Sequence, residues 1–280
     1  MLSLLWPHPA AIVKTGKTKT LLIADPHIGW EMELQEKGIY VPSQTPKILN
    51  KLTAILSKYK PQRLVIIGDV KYTIVSTELG EWHDVPDFFA QLQSYVGDIA
   101  IVRGNHDANI EPLLPENVKL LPATGVVIGD VGVFHGHKWP SPALLECKTL
   151  VMGHLHPVVV FRDIVGFKVT KQVWMKANCD TEALAKILLQ KYNVKIVGSA
   201  AETLQTHHNV RLKSEEIFIM PSFNDFLGGR ALNEAKPRKE IGSGALIGPV
   251  LRSKAVDVDN AELYLLDGTY LGTLNQLRSL

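Results

Sequence analysis

The sequence predicts an α/β protein in which two packed β-sheets are flanked by helices. Three observations carry that expectation. Five short aliphatic runs recur between Leu21 and Met152, amphipathic segments of helical period separate the first three, and later runs alternate with tight-turn signals. Most of these runs lack polar alternation, so they read as strands covered on both faces. Helices outside two sheets satisfy that burial.

The first run, Leu21-Leu22-Ile23-Ala24, leads into Asp25-Pro26-His27. Beyond it, Ile48, Leu49, Leu52, Ile55, Leu56 and Tyr59 share one helical face. Thr45 is the expected N-cap, Pro46 the first helical position, and Pro61 the stop. Leu64-Val65-Ile66-Ile67 then leads into Gly68-Asp69. A second amphipathic pattern, Val85, Phe88, Phe89, Leu92 and Tyr95, is expected to start near Asp84 and Pro86. Ile99-Ala100-Ile101-Val102 leads into Gly104-Asn105-His106-Asp107. Strand–helix–strand–helix–strand makes two crossover units and a largely parallel sheet.

After this point the pattern changes. Runs 126–128 and 131–134 flank Gly129-Asp130, a hairpin signal, and lead into His135-Gly136-His137. Leu150-Val151-Met152 leads into Gly153-His154-Leu155-His156. Runs 158–161 and 167–174 read as a strand pair turning near Gly166. Residues 217–220 and 263–266 are further strands, the latter closed by an Asp267-Gly268 turn. The interval 179–214 reads as a helical insertion: Ala183, Leu184, Ile187, Leu188 and Tyr192 form one face, followed by polar sequence with His207 and His208. No repeat divides the chain, so 1–280 reads as a single domain carrying that insertion.

Composition bounds the function. With 280 residues, 46% hydrophobic and 21% charged, the chain has the make-up of an ordinary globular protein. A net charge of +2 argues against a strongly basic nucleic-acid binder, and the densest basic stretch, Arg230 to Lys239, is broken by Glu234 and reads as a solvated loop. Cys147 and Cys179 give no disulfide framework and read as ordinary thiols of a reducing compartment. The N-terminal stretch lacks the pattern of a secretory signal. No apolar run approaches the roughly 20 residues that span a bilayer. The expectation is a cytoplasmic protein without a membrane partner.

The five polar clusters all follow strands. In open α/β sheets, ligands bind beyond the carboxyl ends of the strands. Carboxylates, an amide and imidazoles meeting there would suit divalent first-row metals. Most of the clusters are weak alone, since Gly-Asp also marks turns and paired histidines are common on surfaces, while Gly-Asn-His-Asp is moderately specific because three side chains with metal or acid–base capacity occur together. Together and in this order they resemble the calcineurin-like metallophosphoesterases. The flanking segments Asp25-Pro26-His27-Ile28-Gly29-Trp30-Glu31, Gly68-Asp69-Val70-Lys71, Met220-Pro221-Ser222-Phe223-Asn224 and Leu266-Asp267-Gly268-Thr269 are similar to the archaeal SbcD-related phosphoesterases.

The resemblance implies a four-layer metallophosphoesterase fold with two packed mixed sheets, and two divalent cations. Asp25, His27 and His156 would hold one cation, and Asn105, His135 and His154 the other. Asp69 would bridge the two. A hydroxide shared by cations about 3.5–4 Å apart would attack phosphorus. His106 would protonate the leaving oxygen, with Asp107 orienting its imidazole. Manganese is the expected metal; iron, zinc or nickel also suit the donors. The substrate is expected to be a phosphate ester, more specifically a phosphodiester in a nucleotide or nucleic acid. A phosphomonoester of a small metabolite and a non-catalytic scaffold role stay open.

Other residues read less sharply. His137 would touch substrate phosphate or simply sit beside the site. Lys71 reads as solvated rather than substrate-binding. Trp30 and Glu31 read as residues of the site's rim or of the layer behind the ligands, with plain packing an equal reading for Trp30, and His83, His207 and His208 read as surface histidines.

Overall fold

Residues 1–74, 79–234 and 246–279 are described by the computed structural model. Positions 235–239 of the basic stretch therefore lie outside the described residues.

Two mixed sheets form from consecutive parts of the chain. The first contains β1 (Leu2–Leu4), β2 (Ala10–Thr15), β3 (Thr18–Ala24), β4 (Arg63–Ile67), β5 (Asp98–Val102) and β6 (Val118–Leu121), in that spatial order. Strands β3 to β6 run parallel, while β1 and β2 join as antiparallel neighbours. The second contains β7 (Val126–Ile128), β8 (Val131–Phe134), β9 (Thr149–Met152), β10 (Pro157–Arg162), β11 (Lys168–Asn178), β12 (Glu216–Ile219) and β13 (Arg230–Ala231). β14 (Glu262–Leu265) and β15 (Tyr270–Thr273) complete it. The long strand β11 links its parts, pairing first with β10 and then with β12 and β14.

Side-chain alternation dictates the layering, because successive strand residues face opposite ways. From β3, Leu22 and Ala24 face the other sheet, where they meet Val133, Val151 and Trp174. Leu21 and Ile23 face outward onto α2 (Thr45–Tyr59) and α3 (Leu79–Leu92). The second sheet is covered in the same way. Leu150 and Met152 pack beneath α4 (Thr181–Lys191) and α5 (Ala200–His208), through Leu184, Leu188 and Leu204. Helix–sheet–sheet–helix is the four-layer arrangement the sequence predicts. The shorter helices are α1 (Met32–Glu36), α6 (Pro249–Arg252) and α7 (Leu274–Arg278).

Two helix starts differ from expectation. Helix α2 begins at Thr45 with Gln44 in the capping position, and the Thr45 hydroxyl donates to the Asp84 carboxylate at 2.9 Å. Helix α3 begins at Leu79, so Pro86 lies inside it. Asp84 is a residue type that caps helices, but here it accepts the Ser43 and Thr45 hydroxyls instead. In the polar interval after α4, a Ser199–Glu202 capping box starts α5. Among the described residues, no helix is long and apolar enough to cross a membrane.

Candidate metal centre

Every candidate ligand lies just past a strand end in the first or second sheet. Asp25 directly follows β3, Asp69 follows β4 by one glycine, and Asn105 and His106 come shortly after β5. From the second sheet, His135 follows β8 and His154 and His156 follow β9. Three groups result: Asp25, His27 and His156; His27, Asp69 and His106; and Asp69, His135 and His154. Within each, donor atoms lie within 4.8 Å of one another.

Asp69 occupies the middle. Its Oδ2 lies 3.3 Å from His135 Nε2, 3.6 Å from His27 Nε2 and 4.0 Å from His106 Nε2. Its Oδ1 accepts the His106 backbone N–H at 2.8 Å. Asp25 also faces two ways: Oδ1 is 2.9 Å from His135 Nε2, and Oδ2 is 3.4 Å from His156 Nε2. Asn105 lines the same cleft.

The backbone is bent to make this convergence. Asp25, His27, Asp69, His154 and His156 all have positive φ, between 44° and 67°. Asn, Asp and His enter this left-handed region more readily than other non-glycine residues. Two glycines permit the close approach. A Cβ at Gly104 would fall 2.1 Å from Asp69 Oδ1, and one at Gly153 would fall 2.6 Å from Asp25 Oδ2.

Electrostatics follows from burial and from the carboxylates. Burial pushes His27 down to about 3 and His154 to about 4. Burial acts against a charged His135 too, but the Asp69 charge and hydrogen bonds to both carboxylates overcome it and raise His135 to about 10. For Asp69, burial opposes ionisation while the His135 charge and hydrogen bond hold it low. Asp25 is likewise held well below the usual carboxylate range, despite burial, by His156 and His135.

These donors fit divalent cations. The carboxylates are buried with no Lys or Arg ion pair among the described residues, and His27 and His156 bring their Nε2 atoms within 3.4 Å of each other. Asn105 Oδ1 and His27 Nδ1 are buried without a hydrogen-bond partner among the described residues. An orphaned amide oxygen in the cleft that Asp69 also lines is an acceptor in need of a positive partner.

A family model for calcineurin-like phosphoesterases matches residues 18–200. The chain belongs to this family. Among solved structures, it resembles the nuclease MPE of Pseudomonas putida at 16% identity and a TM-score of 0.50, over 92% of this chain and 97% of that one. It also aligns with Yfce, a phosphoesterase from E. coli, at 21% identity and a TM-score of 0.33, over 51% of this chain and 73% of that one. A protein of unknown function from Aquifex aeolicus, AQ665, aligns at 18% identity and a TM-score of 0.34, over 49% and 78% of the two chains. No curated protein matches the sequence. Family and ligand clusters together make this a metal-dependent phosphoesterase, with phosphate esters as its substrates.

Several residues differ from expectation. Asp107 does not reach the His106 ring. Its carboxylate accepts the backbone N–H groups of Gly104, Asp69 and Val70 at 2.7, 2.9 and 2.8 Å. Burial, followed by the Asp69 charge, raises it to about 6. The atom that orients His106 is the Tyr72 carbonyl oxygen, which can only accept and so receives the Nδ1 hydrogen. Lys71 is fully buried rather than solvated, and its ammonium group donates to the Thr73 carbonyl. Glu31 is buried and accepts the Gln44 N–H at 3.0 Å, while Trp30 stacks on Phe226 with ring centres 6.0 Å apart. His137 meets His135, their Nδ1 atoms 2.9 Å apart. His83, His207 and His208 are exposed.

Sequence reasoning gave no role to Ser222 and Asn224. Ser222 Oγ donates to the Asp25 carbonyl at 2.7 Å, and Asn224 Nδ2 donates to the Pro26 carbonyl at 3.0 Å. They brace the first ligand loop from the far end of the chain. Both lie in the Met220–Asn224 segment, but a serine and an asparagine carry no ligand signal of their own.

Proposed function

We propose that this chain is a two-metal phosphodiesterase of the SbcD-related kind, acting on nucleic acid or nucleotides, with manganese as its metal. Asp25, His27 and His156 would hold one cation and Asn105, His135 and His154 the other, with Asp69 contributing to both. The observation that carries this reading is the position of Asp69 Oδ2, within 4.0 Å of imidazoles from three separate strand ends. When bound, two such cations neutralise phosphate charge and activate water as the nucleophile.

His106 is the general acid. Its Nδ1–H is committed to the Tyr72 carbonyl, so Nε2 is the nitrogen free to carry and release a proton. Its side chain is 19% exposed, within reach of a departing oxygen, whereas Asp69 beneath it is 2% exposed. Asp107 is a positioning residue: three backbone amides converge on its carboxylate, and two of them belong to the turn that carries Asp69.

The diesterase reading draws support from the nuclease likeness, which spans nearly the whole of both chains. We also read 1–280 as one domain, with 179–214 as an inserted helical pair whose apolar face joins the core of the second sheet. A cytoplasmic location fits the two free, buried cysteines.

Hydrolysis of a chromogenic phosphodiester and its monoester, by metal-stripped and manganese-reconstituted protein, tests the proposal. Diester turnover that requires manganese is the expected result. Monoester preference would make the protein a phosphatase, and no turnover with both metals bound would favour a scaffold.

A further inference from the structure

Beside the metal centre lies a second cavity of about 750 Å³ that no step above uses. It joins the catalytic cleft through His154 and Ile247, which line both. The sequence connects them as well: His135 and His137 are followed at once by Lys138 and Trp139, which line the cavity. The end of α4 adds Lys191 and Tyr192, and α6 adds Arg252.

The chemistry of this wall is selective. It combines two aromatic side chains with three cations, and no carboxylate among the described residues lines it. Among the described residues none of Lys138, Lys191 and Arg252 has an ion pair, and Arg252 donates only its Nε–H, to the Leu246 carbonyl at 3.0 Å. Trp139 is half-buried against the second-sheet core, which fixes its ring, and Tyr192 is 45% exposed. An aromatic surface bordered by unpaired cations suits a flat ring joined to an anion. Bases stack on aromatic faces whatever their identity, while Lys and Arg follow the phosphates.

We infer that this cavity holds the nucleoside next to the scissile phosphate, with its base against Trp139 and Tyr192 and the following phosphate among Lys138, Lys191 and Arg252. The inference rests on the phosphodiesterase reading and narrows its substrate to a single-stranded oligonucleotide. A base can enter the cavity only when it has left its stack, so duplex ends and interiors are poorer fits. It also reconciles a near-neutral chain with nucleic acid: the phosphate-binding charge is local, three residues beside the site, rather than spread over a face.

The test measures binding apart from catalysis. Fluorescence anisotropy of a labelled single-stranded oligodeoxynucleotide, with the full chain in EDTA, reads the cavity without hydrolysis. Tyr192→Ala and the double variant Lys191→Ala/Arg252→Ala should each weaken binding about tenfold. The double variant should also flatten the dependence on salt. Tyr192→Phe keeps the ring and should bind like the wild type, which separates stacking from a folding defect. With manganese present, the ratio of kcat/KM for the oligonucleotide to that for bis-p-nitrophenyl phosphate should fall about tenfold in the same alanine variants. Wild-type affinity in these variants, no binding by the wild type, or equal affinity for duplex and single strand would each overturn the inference. Absence of diester hydrolysis by the wild type would instead remove the phosphodiesterase reading, and the anisotropy result would still decide the cavity.

Discussion

The two sheets bring different chemistry to one rim. Loops after β3, β4 and β5 supply all three carboxylates, Asp25, Asp69 and Asp107, together with His27, Asn105 and His106. Loops after β8 and β9 supply imidazoles alone: His135, His137, His154 and His156. The first sheet therefore concentrates negative charge and the second provides donors that can be neutral. Contact across the gap, such as His135 between Asp25 and Asp69, exists only while the sheets remain packed. The site thus depends on the sandwich and on no single half of it.

The most severe break is chemical. Asp69→Asn removes the charge shared by the clusters while keeping the side-chain shape. Manganese-dependent diester turnover should fall below detection while circular dichroism stays native. Retained activity would overturn the bridging assignment.

A mechanical break comes next. Trp174 is fully buried in the core between the sheets, among Leu22, Val65 and Val151. Trp174→Ala should destabilise the protein by about 3–5 kcal/mol in urea unfolding, the range for emptying a large core site. Manganese affinity should weaken in the same variant, although no ligand changes. Unchanged affinity would show that the two half-sites hold their geometry independently.

A finer probe is Ser222→Ala, which deletes the hydrogen bond from the second half of the chain to the Asp25 carbonyl. The expected loss is about 1 kcal/mol in the same unfolding assay. Manganese affinity should drop modestly, and an effect on stability without one on affinity would make Ser222 a plain structural brace.

The mildest test uses the cysteines, both buried, with Cys179 in the second-sheet core. Burial pushes each thiol up to about 11, so the unreactive protonated form dominates in the folded chain at pH 8. Raising pH through the folded value, or unfolding, which restores the ordinary thiol pKa, should each expose thiolate. Native protein at pH 8 should resist a thiol reagent, and both thiols should react in denaturant. Rapid labelling of the native state would show that the second sheet opens independently of the first.

Much of this architecture was legible because it is repetitive. The apolar runs at β3, β4, β5 and β9 are buried on both faces, and such strands leave an uninterrupted signature. The convergence of acidic and imidazole side chains at the strand ends was legible because these residue types are rare in combination. Other features depend on tertiary partners. Asp84 resembled a helix start until the Ser43 and Thr45 hydroxyls claimed it. Asp107 resembled an imidazole partner by adjacency, yet the turn folds its carboxylate onto backbone amides. Lys71 gave no sign of burial, because a lysine enters the interior only where a surrounding cage of acceptors forms. Strands β1, β2 and β6 are edge or near-edge elements of the first sheet, with less continuous apolar character.

The left-handed backbone at Asp25, His27, Asp69, His154 and His156 also constrains how such a site can decay. Most replacements at these positions carry a conformational penalty beyond the lost ligand, and β-branched residues fit worst. Glycine, asparagine and the acid or imidazole already present are the tolerated choices. A descendant that abandoned its metals would therefore drift along a narrow corridor. It would keep the same bends and show glycines and asparagines where donors once stood, a scar readable long after the activity had gone.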